Sequence, residues 1–304
     1  MHRPDASDRF RPPHLVDLRR TLGPSLRFPT GVVRPDGLWR ATRTPEGTAT
    51  VRLRSTSGGA IDVQAWGDGS RWAVSHAPEI VGANDEADGF SPLGHPVVRD
   101  LIARFPGLRI PRTRAVFEQL TIAVLEQKVQ GRQARRSYRA ICARWGSPAP
   151  GPGAALGLRV APAPQELARV PAWAFHECNV ERKRAVTLAA AARYADRLEE
   201  CVDLPPLAAA ARMTTLPGIG AWTAAEVAVV ALGDADAVSV GDFHLPNTVS
   251  HALAADVRAD DSRMLELLEP WRGQRGRVVK LIEAAGIRAP KFGPRLALHD
   301  IRGL

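Results

Sequence analysis

Met213-Thr-Thr-Leu-Pro-Gly-Ile-Gly-Ala-Trp-Thr-Ala-Ala-Glu-Val-Ala-Val-Val-Ala-Leu232 is the stretch from which the rest of this sequence is read. One helical pattern stops, Leu216-Pro217-Gly218-Ile219-Gly220 makes a tight turn, and a second helical pattern starts at once. Gly218 and Gly220 can take positive φ and carry no Cβ, so successive backbone N–H groups at the new helix start can face an anion. A phosphate fits there. Thr223 adds a hydroxyl donor in the first turn, and Ile219 packs inward to hold the two helices together. An ordinary helix–turn–helix corner has a Pro-Gly-x-Gly string too, so the string alone leaves both readings open.

The residues downstream add to it. Asp234-Ala-Asp-Ala-Val-Ser-Val-Gly-Asp242-Phe-His-Leu-Pro-Asn247 places Asp242 just before another helical pattern. Its plain role is an N-cap accepting from the backbone N–H of His244 or Leu245, with Pro246 tolerated in the first turn. Capping is compatible with catalysis by the same carboxylate.

Working outward, Val97–Phe105, Ala115–Val129, Ala134–Trp145, Lys183–Leu198, Pro206–Met213, Thr223–Leu232, His244–Leu253, Arg263–Leu268 and Arg277–Ala285 carry apolar residues at helical spacing. From Leu15 to about Trp66 the pattern alternates instead, as in Leu38-Trp39-Arg40-Ala41-Thr42, with turn clusters at Pro35-Asp36-Gly37 and Ser57-Gly58-Gly59. A short helical stretch over Trp72–Val81 and a loop from Gly82 to Pro96 follow. The reading is an α+β chain: a small antiparallel β domain with a short helix over residues 1–95, a helical domain over 96–290, and a basic tail over 291–304. The Pro/Gly tract from Ser147 to Pro164 reads as a loop between two groups of helices.

The 304 residues suffice for a full core, and 45% hydrophobic with 24% charged is an ordinary soluble composition. No apolar run approaches the roughly 20 residues of a spanning helix, and Met1–Pro13 has no apolar signal-peptide core. The expected address is the cytoplasm, with no membrane partner. A formal net charge of +9 favours a polyanionic partner. Cys142, Cys178 and Cys201 lie too far apart for a thiolate metal cluster, so reduced thiols are expected.

Leu-Pro-Gly-Ile-Gly, then Trp-Thr-Ala, then Gly-Asp-x-x-Leu with its Asp 22 residues after Gly220, together resemble the helix-hairpin-helix DNA glycosylases of base excision repair. Phe117–Val129, with its Gln127-x-Val ending, and Pro270-Trp271-Arg272 extend the likeness toward the 3-methyladenine DNA glycosylase II branch. It covers about residues 15–290, with the motifs concentrated in 115–130 and 210–280. That branch also places an antiparallel β domain before its helices. The resemblance implies flipping of a damaged base, an alkylated purine foremost, out of duplex DNA and hydrolysis of its N-glycosidic bond. It implies a monomer, nucleoid-associated if bacterial, with no catalytic metal or organic cofactor and with room for a structural monovalent cation at the hairpin.

Residue by residue, the resemblance makes Asp242 the catalytic carboxylate. Leu216, Pro217, Gly218, Ile219, Gly220, Thr223, His244 and Lys128 become DNA contacts, and Trp222, Gln127 and Glu226 line the lesion pocket. Trp222 stands where some members carry a Lys that attacks the sugar, which implies a monofunctional enzyme. Trp222 either stacks on the extruded base or packs in the core, and Gln127 either faces the opened pair or is a satisfied amide. Lys128 stands where relatives often have an apolar wedge; it either contacts phosphate or leaves the gap to Val129 or another loop. Glu226 and Lys280 replace expected aromatic residues, so Glu226 either meets the base or lies in solvent. The runs Asn179–Arg184 and Arg272, Arg275 and Arg277 are further candidates for phosphate contact. A non-catalytic DNA-binding protein and a glycosylase of different lesion specificity are the competing functions.

Overall fold

Five strands form an antiparallel sheet in the order β1-β5-β4-β3-β2: β1 Ala6–Phe10, β2 Gly31–Arg34, β3 Gly37–Thr44, β4 Gly47–Ser55 and β5 Ile61–Trp66. The coordinates are a computed structural model describing residues 3–87 and 89–290; the expected basic tail over 291–304 lies outside the described residues. Period-2 alternation turns Leu38, Val51, Leu53, Ile61 and Val63 to one face. Helices α1 (Leu18–Leu22), α2 (Ser70–Ser75) and α3 (Ala77–Ile80) cover that face through Leu18, Leu22, Ala73 and Ile80.

Two local readings change at the start of the chain. Residues 18–22 form a helix rather than strand, because Asp17 caps it by accepting from Arg20 N at 3.0 Å. The polar run Ala6–Phe10, which has no strand pattern of its own, becomes β1 because β5 offers it an open edge, with Asp8 opposite Val63. Period says nothing about a partner supplied from elsewhere.

The opposite sheet face carries Trp39 and Trp66, stacked with ring centroids 5.6 Å apart. Over them lies the Pro/Gly tract, whose short strands β6 (Ser147–Pro148) and β7 (Arg159–Val160) pair while Ala149, Leu158 and Val160 pack on the two indoles. Thr50 Oγ1 donates to the Pro150 carbonyl at 2.8 Å. The tract is therefore a loop that covers the sheet.

The remaining elements are α4 Pro96–Arg104, α5 Val116–Glu126, α6 Gly131–Trp145, α7 Pro164–Arg169, α8 Ala172–Glu177, α9 Arg182–Arg193, α10 Ala195–Glu199, α11 Pro206–Thr214, α12 Ala221–Val227, α13 Leu245–Ala254, α14 Asp261–Leu268 and α15 Arg275–Ala284. The sequence pattern missed α7 and α8, six residues each, because fewer than two turns leave too little periodicity to detect. The single pattern over Lys183–Leu198 breaks at Tyr194 into α9 and α10.

Helix α5 is apolar on nearly every side and runs through the largest core, with Val116, Leu120, Ala123 and Val124 fully buried among residues of α6 and α8 to α12. A second core joins α4 to α13, α14 and α15 through Val98, Val249, Met264 and Val278. Ala115 offers α5 no side-chain cap; the carboxylate of Glu199 accepts from Val116 N at 3.0 Å and Phe117 N at 2.9 Å instead.

Burial pushes the Glu199 carboxyl above its usual range, against the pull of those two donors. Its share of stability is therefore full below the ordinary carboxylate range and falls as pH rises through the raised value. Glu199→Ala, which leaves two N–H groups without their acceptor, should cost about 1–3 kcal/mol and lower the thermal midpoint at pH 5. An unchanged midpoint would show that α5 does not depend on this cap.

Candidate active site

The N-terminus of α13 is where the site is built. Asp242 Oδ1 accepts from His244 N at 2.7 Å and from Leu245 N at 2.8 Å, so the capping expected from sequence is made with both amides. Its other oxygen, Oδ2, accepts from Trp222 Nε1 at 3.1 Å. The carboxylate is thus held from two elements and is half-buried at the surface.

The loop carrying it is tied down along its length. Asp236 accepts from Gly273 N at 2.8 Å and Arg275 N at 3.0 Å, and grips the Arg275 guanidinium through Nε and Nη2 at 2.8 and 2.5 Å. Asp261 Oδ2 takes Gly241 N at 3.0 Å, Asp242 N donates to Ser239 O at 3.2 Å, and Ser239 Oγ donates to Glu226 Oε1. Few degrees of freedom remain between Asp234 and α13.

In the hairpin, Gly220 caps α12 with extended backbone, and Ile219 is 4% exposed between the helices. Pro217, Gly218 and Gly220 are exposed, Leu216 is half-buried, and the first amides of α12 lack carbonyl partners in their own helix. Gly218 takes φ +88, and a Cβ there would overlap Thr187 Oγ1 on α9. Thr223 differs from expectation: it is 2% exposed, and its hydroxyl accepts from Gln127 Nε2 at 2.9 Å, so it faces α5 rather than solvent. The same Gln127 nitrogen donates to Gly218 O at 2.9 Å, so it is bonded to both the hairpin turn and α12.

Lys128 follows at φ +54, exposed and without an ion pair among the described residues. His244 is exposed beside Phe243, whose ring lies 4.9 Å from the imidazole and is 83% exposed. Sequence reasoning passed over Phe243, though an aromatic residue beside a capping carboxylate was a readable signal. Glu226 is not solvated: burial pushes its carboxyl above the usual range, against Lys280 and the Ser239 hydroxyl. Lys280 Nζ pairs with Glu283 at 2.9 Å.

Several basic residues expected to face phosphate are committed elsewhere. Arg277 pairs with Asp85 at 2.5 Å inside the protein, Arg275 with Asp236, and Arg272 with Glu269 at 2.6 Å. Arg184 is 5% exposed and donates to Leu125 O at 2.8 Å, while Val186 and Tyr194 are exposed. Helix α6, beginning three residues after Lys128, exposes Arg132, Arg135, Arg136 and Arg139 in no ion pair among the described residues, while Ala134, Tyr138, Ile141 and Cys142 face the core. Sequence reasoning passed over these arginines, because spacing alone does not say which face of the helix the core takes. No group of three or more His, Cys, Asp or Glu among the described residues could hold a metal ion, and no described helix is long and apolar enough to cross a membrane.

This architecture is similar to that of known proteins. A 3-methyladenine DNA glycosylase from Archaeoglobus fulgidus superposes with TM-score 0.75 at 22% identity, covering 91% of this chain and 97% of that one. A structure of MBOgg1 with a low-affinity DNA ligand gives 0.73 at 16% identity, covering 94% and 96%. The 8-oxoguanine glycosylase/lyase of Clostridium acetobutylicum bound to double-stranded DNA gives 0.70 at 12% identity, covering 94% and 98%. In sequence, the Mycobacterium tuberculosis protein "Probable bifunctional transcriptional activator/DNA repair enzyme AlkA" is 31% identical over 153 residues, 49% of this chain. The match spans 30% of that relative's length. No protein-family model matches the chain.

The two hairpin glycines should behave differently. Gly218→Ala meets both a left-handed backbone and Thr187, and is expected to cost about 1–2 kcal/mol or more in denaturant unfolding. Gly220→Ala, with open space around its Cβ and no positive φ, loses only the better N-cap residue and should cost less, about 0.5–1 kcal/mol in the same measurement. Equal costs would mean that the turn is not set as described.

Proposed function

We propose that this chain, whose fold is that of the helix-hairpin-helix DNA glycosylases, is a monofunctional DNA glycosylase that hydrolyses the N-glycosidic bond of a damaged purine in duplex DNA, alkylated purines first. The observation that carries the reading is the Asp242 carboxylate, fixed by Trp222 and the α13 amides beside the exposed hairpin. Breaking an N-glycosidic bond develops positive charge at the sugar. A preorganised carboxylate beside C1′ stabilises that charge or orients the attacking water. An alkylated purine already carries positive charge and leaves without a strong general acid.

Trp222 has no amine to attack the sugar, so the product is an abasic site and the strand stays whole. The duplex would lie across the surface that carries the hairpin turn, Lys128, Phe243 and His244, with the arginines of α6 extending the positive side. Lys128 is a point charge suited to phosphate, while Phe243 supplies the exposed apolar surface that Lys128 lacks. Trp222 keeps an aromatic ring next to the carboxylate even though its N–H is engaged, and that ring is the stacking surface for the extruded base.

Wild type should release free base from methylated duplex DNA, and Asp242→Asn should lose at least about 100-fold of that rate while still binding duplex. Strand breaks should appear only after alkali, and borohydride should trap no covalent adduct. Tight binding with no release by wild type would point to the non-catalytic reading, and unchanged turnover in the variant would remove Asp242 from catalysis. Duplex affinity should fall steeply with salt, and replacing Arg132, Arg135 and Arg136 with Ser should flatten the logarithmic slope by about 0.9 for each phosphate that is no longer neutralised. A salt-independent affinity would contradict the proposed interface.

A further inference from the structure

Trp222 and Glu226 are one helical turn apart on the same face of α12, and both side chains reach the same loop. Trp222 Nε1 holds Asp242 Oδ2 at 3.1 Å, and the Ser239 hydroxyl donates to Glu226 Oε1. Asp242 N donates to Ser239 O at 3.2 Å, so residues 239–242 make a turn pinned to α12 at both ends. The helix is itself fixed at that level, because Gln119 Nε2 on α5 donates to the Glu226 carbonyl at 3.4 Å.

The charged groups around Glu226 have other partners. Lys280 Nζ pairs with Glu283 Oε2 at 2.9 Å, and Glu126 pairs with Arg27 at 3.7 Å. Ser239, 9% exposed, is the side chain that the Glu226 carboxylate takes hold of.

We propose that Glu226 is a positioning residue which, through the Ser239 hydroxyl, fixes the turn that sets the Asp242 carboxylate, instead of reading the extruded base. This rests on the reading of Asp242 as the catalytic carboxylate. Trp222 fixes one oxygen of Asp242, and Asp261 holds the Gly241 amide at 3.0 Å; the Ser239 bond adds the hold on α12 at the start of the turn, which neither of those supplies. A displacement of about 1 Å at a reacting group costs on the order of 100-fold in rate, so the brace acts on the chemical step without touching DNA.

The test uses the full chain as Glu226→Ala, Ser239→Ala, the double variant and Glu226→Gln. Amide hydrogen exchange of the unliganded protein over residues 239–245 should accelerate in both alanine variants and no further in the double variant. Single-turnover base release from methylated duplex should fall about 10–100-fold in each, again without addition, while affinity for a duplex holding an abasic-site analogue stays within about twofold. Glu226→Gln keeps an oxygen that accepts from Ser239, so it should recover most of both the rate and the protection. Unchanged exchange, additive losses, or a Glu226→Gln variant as slow as Glu226→Ala would overturn the brace; the last would instead make the negative charge a contact to the base. If wild type releases no base, the glycosylase reading falls, and the exchange result still decides whether Glu226 holds the turn.

Discussion

Three N–H groups converging on one carboxylate set the geometry of this molecule's site: the amides of His244 and Leu245 on one oxygen of Asp242 and the indole of Trp222 on the other. The first two come from the start of α13 and the third from α12, so those helices must meet at one angle for the bonds to form together. The hairpin turn that launches α12, the π turn at Ala228–Leu232 that ends it, and the tied loop from Asp234 onward all serve that meeting. Moving any of them by the length of one bond would leave the carboxylate with a partner missing.

The two cores explain how such a meeting is held. α12 belongs to the core built on α5, whereas α13 belongs to the one shared by α4, α14 and α15. Asp242 lies between them, and its bonds to Trp222 on α12 and to the first amides of α13 join the two sides there. The Arg275–Asp236 and Arg277–Asp85 pairs tie α15 to the loop before Asp242 and to the segment after α3, the latter pair with side chains 4% and 6% exposed. Removing one member of such a buried pair leaves an uncompensated charge, so these arginines are bound to the fold before they can be offered to a ligand.

This divides the basic residues into two populations that composition cannot separate. Arg184, Arg275 and Arg277 are spent on carbonyls and carboxylates inside the protein, while Lys128 and, on α6, Arg132, Arg135, Arg136 and Arg139 are free of ion pairs among the described residues. Both populations look alike in a one-dimensional charge count. The difference is which face of a helix the core takes: on α6 it takes Ala134, Tyr138, Ile141 and Cys142, leaving the arginines outside.

What the sequence determined by itself is local. The hairpin string, the cap at Asp242, the alternation of β3 to β5 and the inward Ile219 follow from short-range rules of backbone freedom, capping and period, and these act within a few residues of one another. The short helices α7 and α8, the polar edge strand β1 and the distant cap from Glu199 did not follow, since each depends on a partner far away in the chain. The same holds within the site. Thr223 and Gln127 turned to each other, and Glu226 turned to Ser239, because a buried polar group takes the nearest complementary one. Sequence named the chemistry of those side chains; only the packing of α5 against α12, and of α12 against the Asp242 loop, decided which of their bonds would be spent inside the fold.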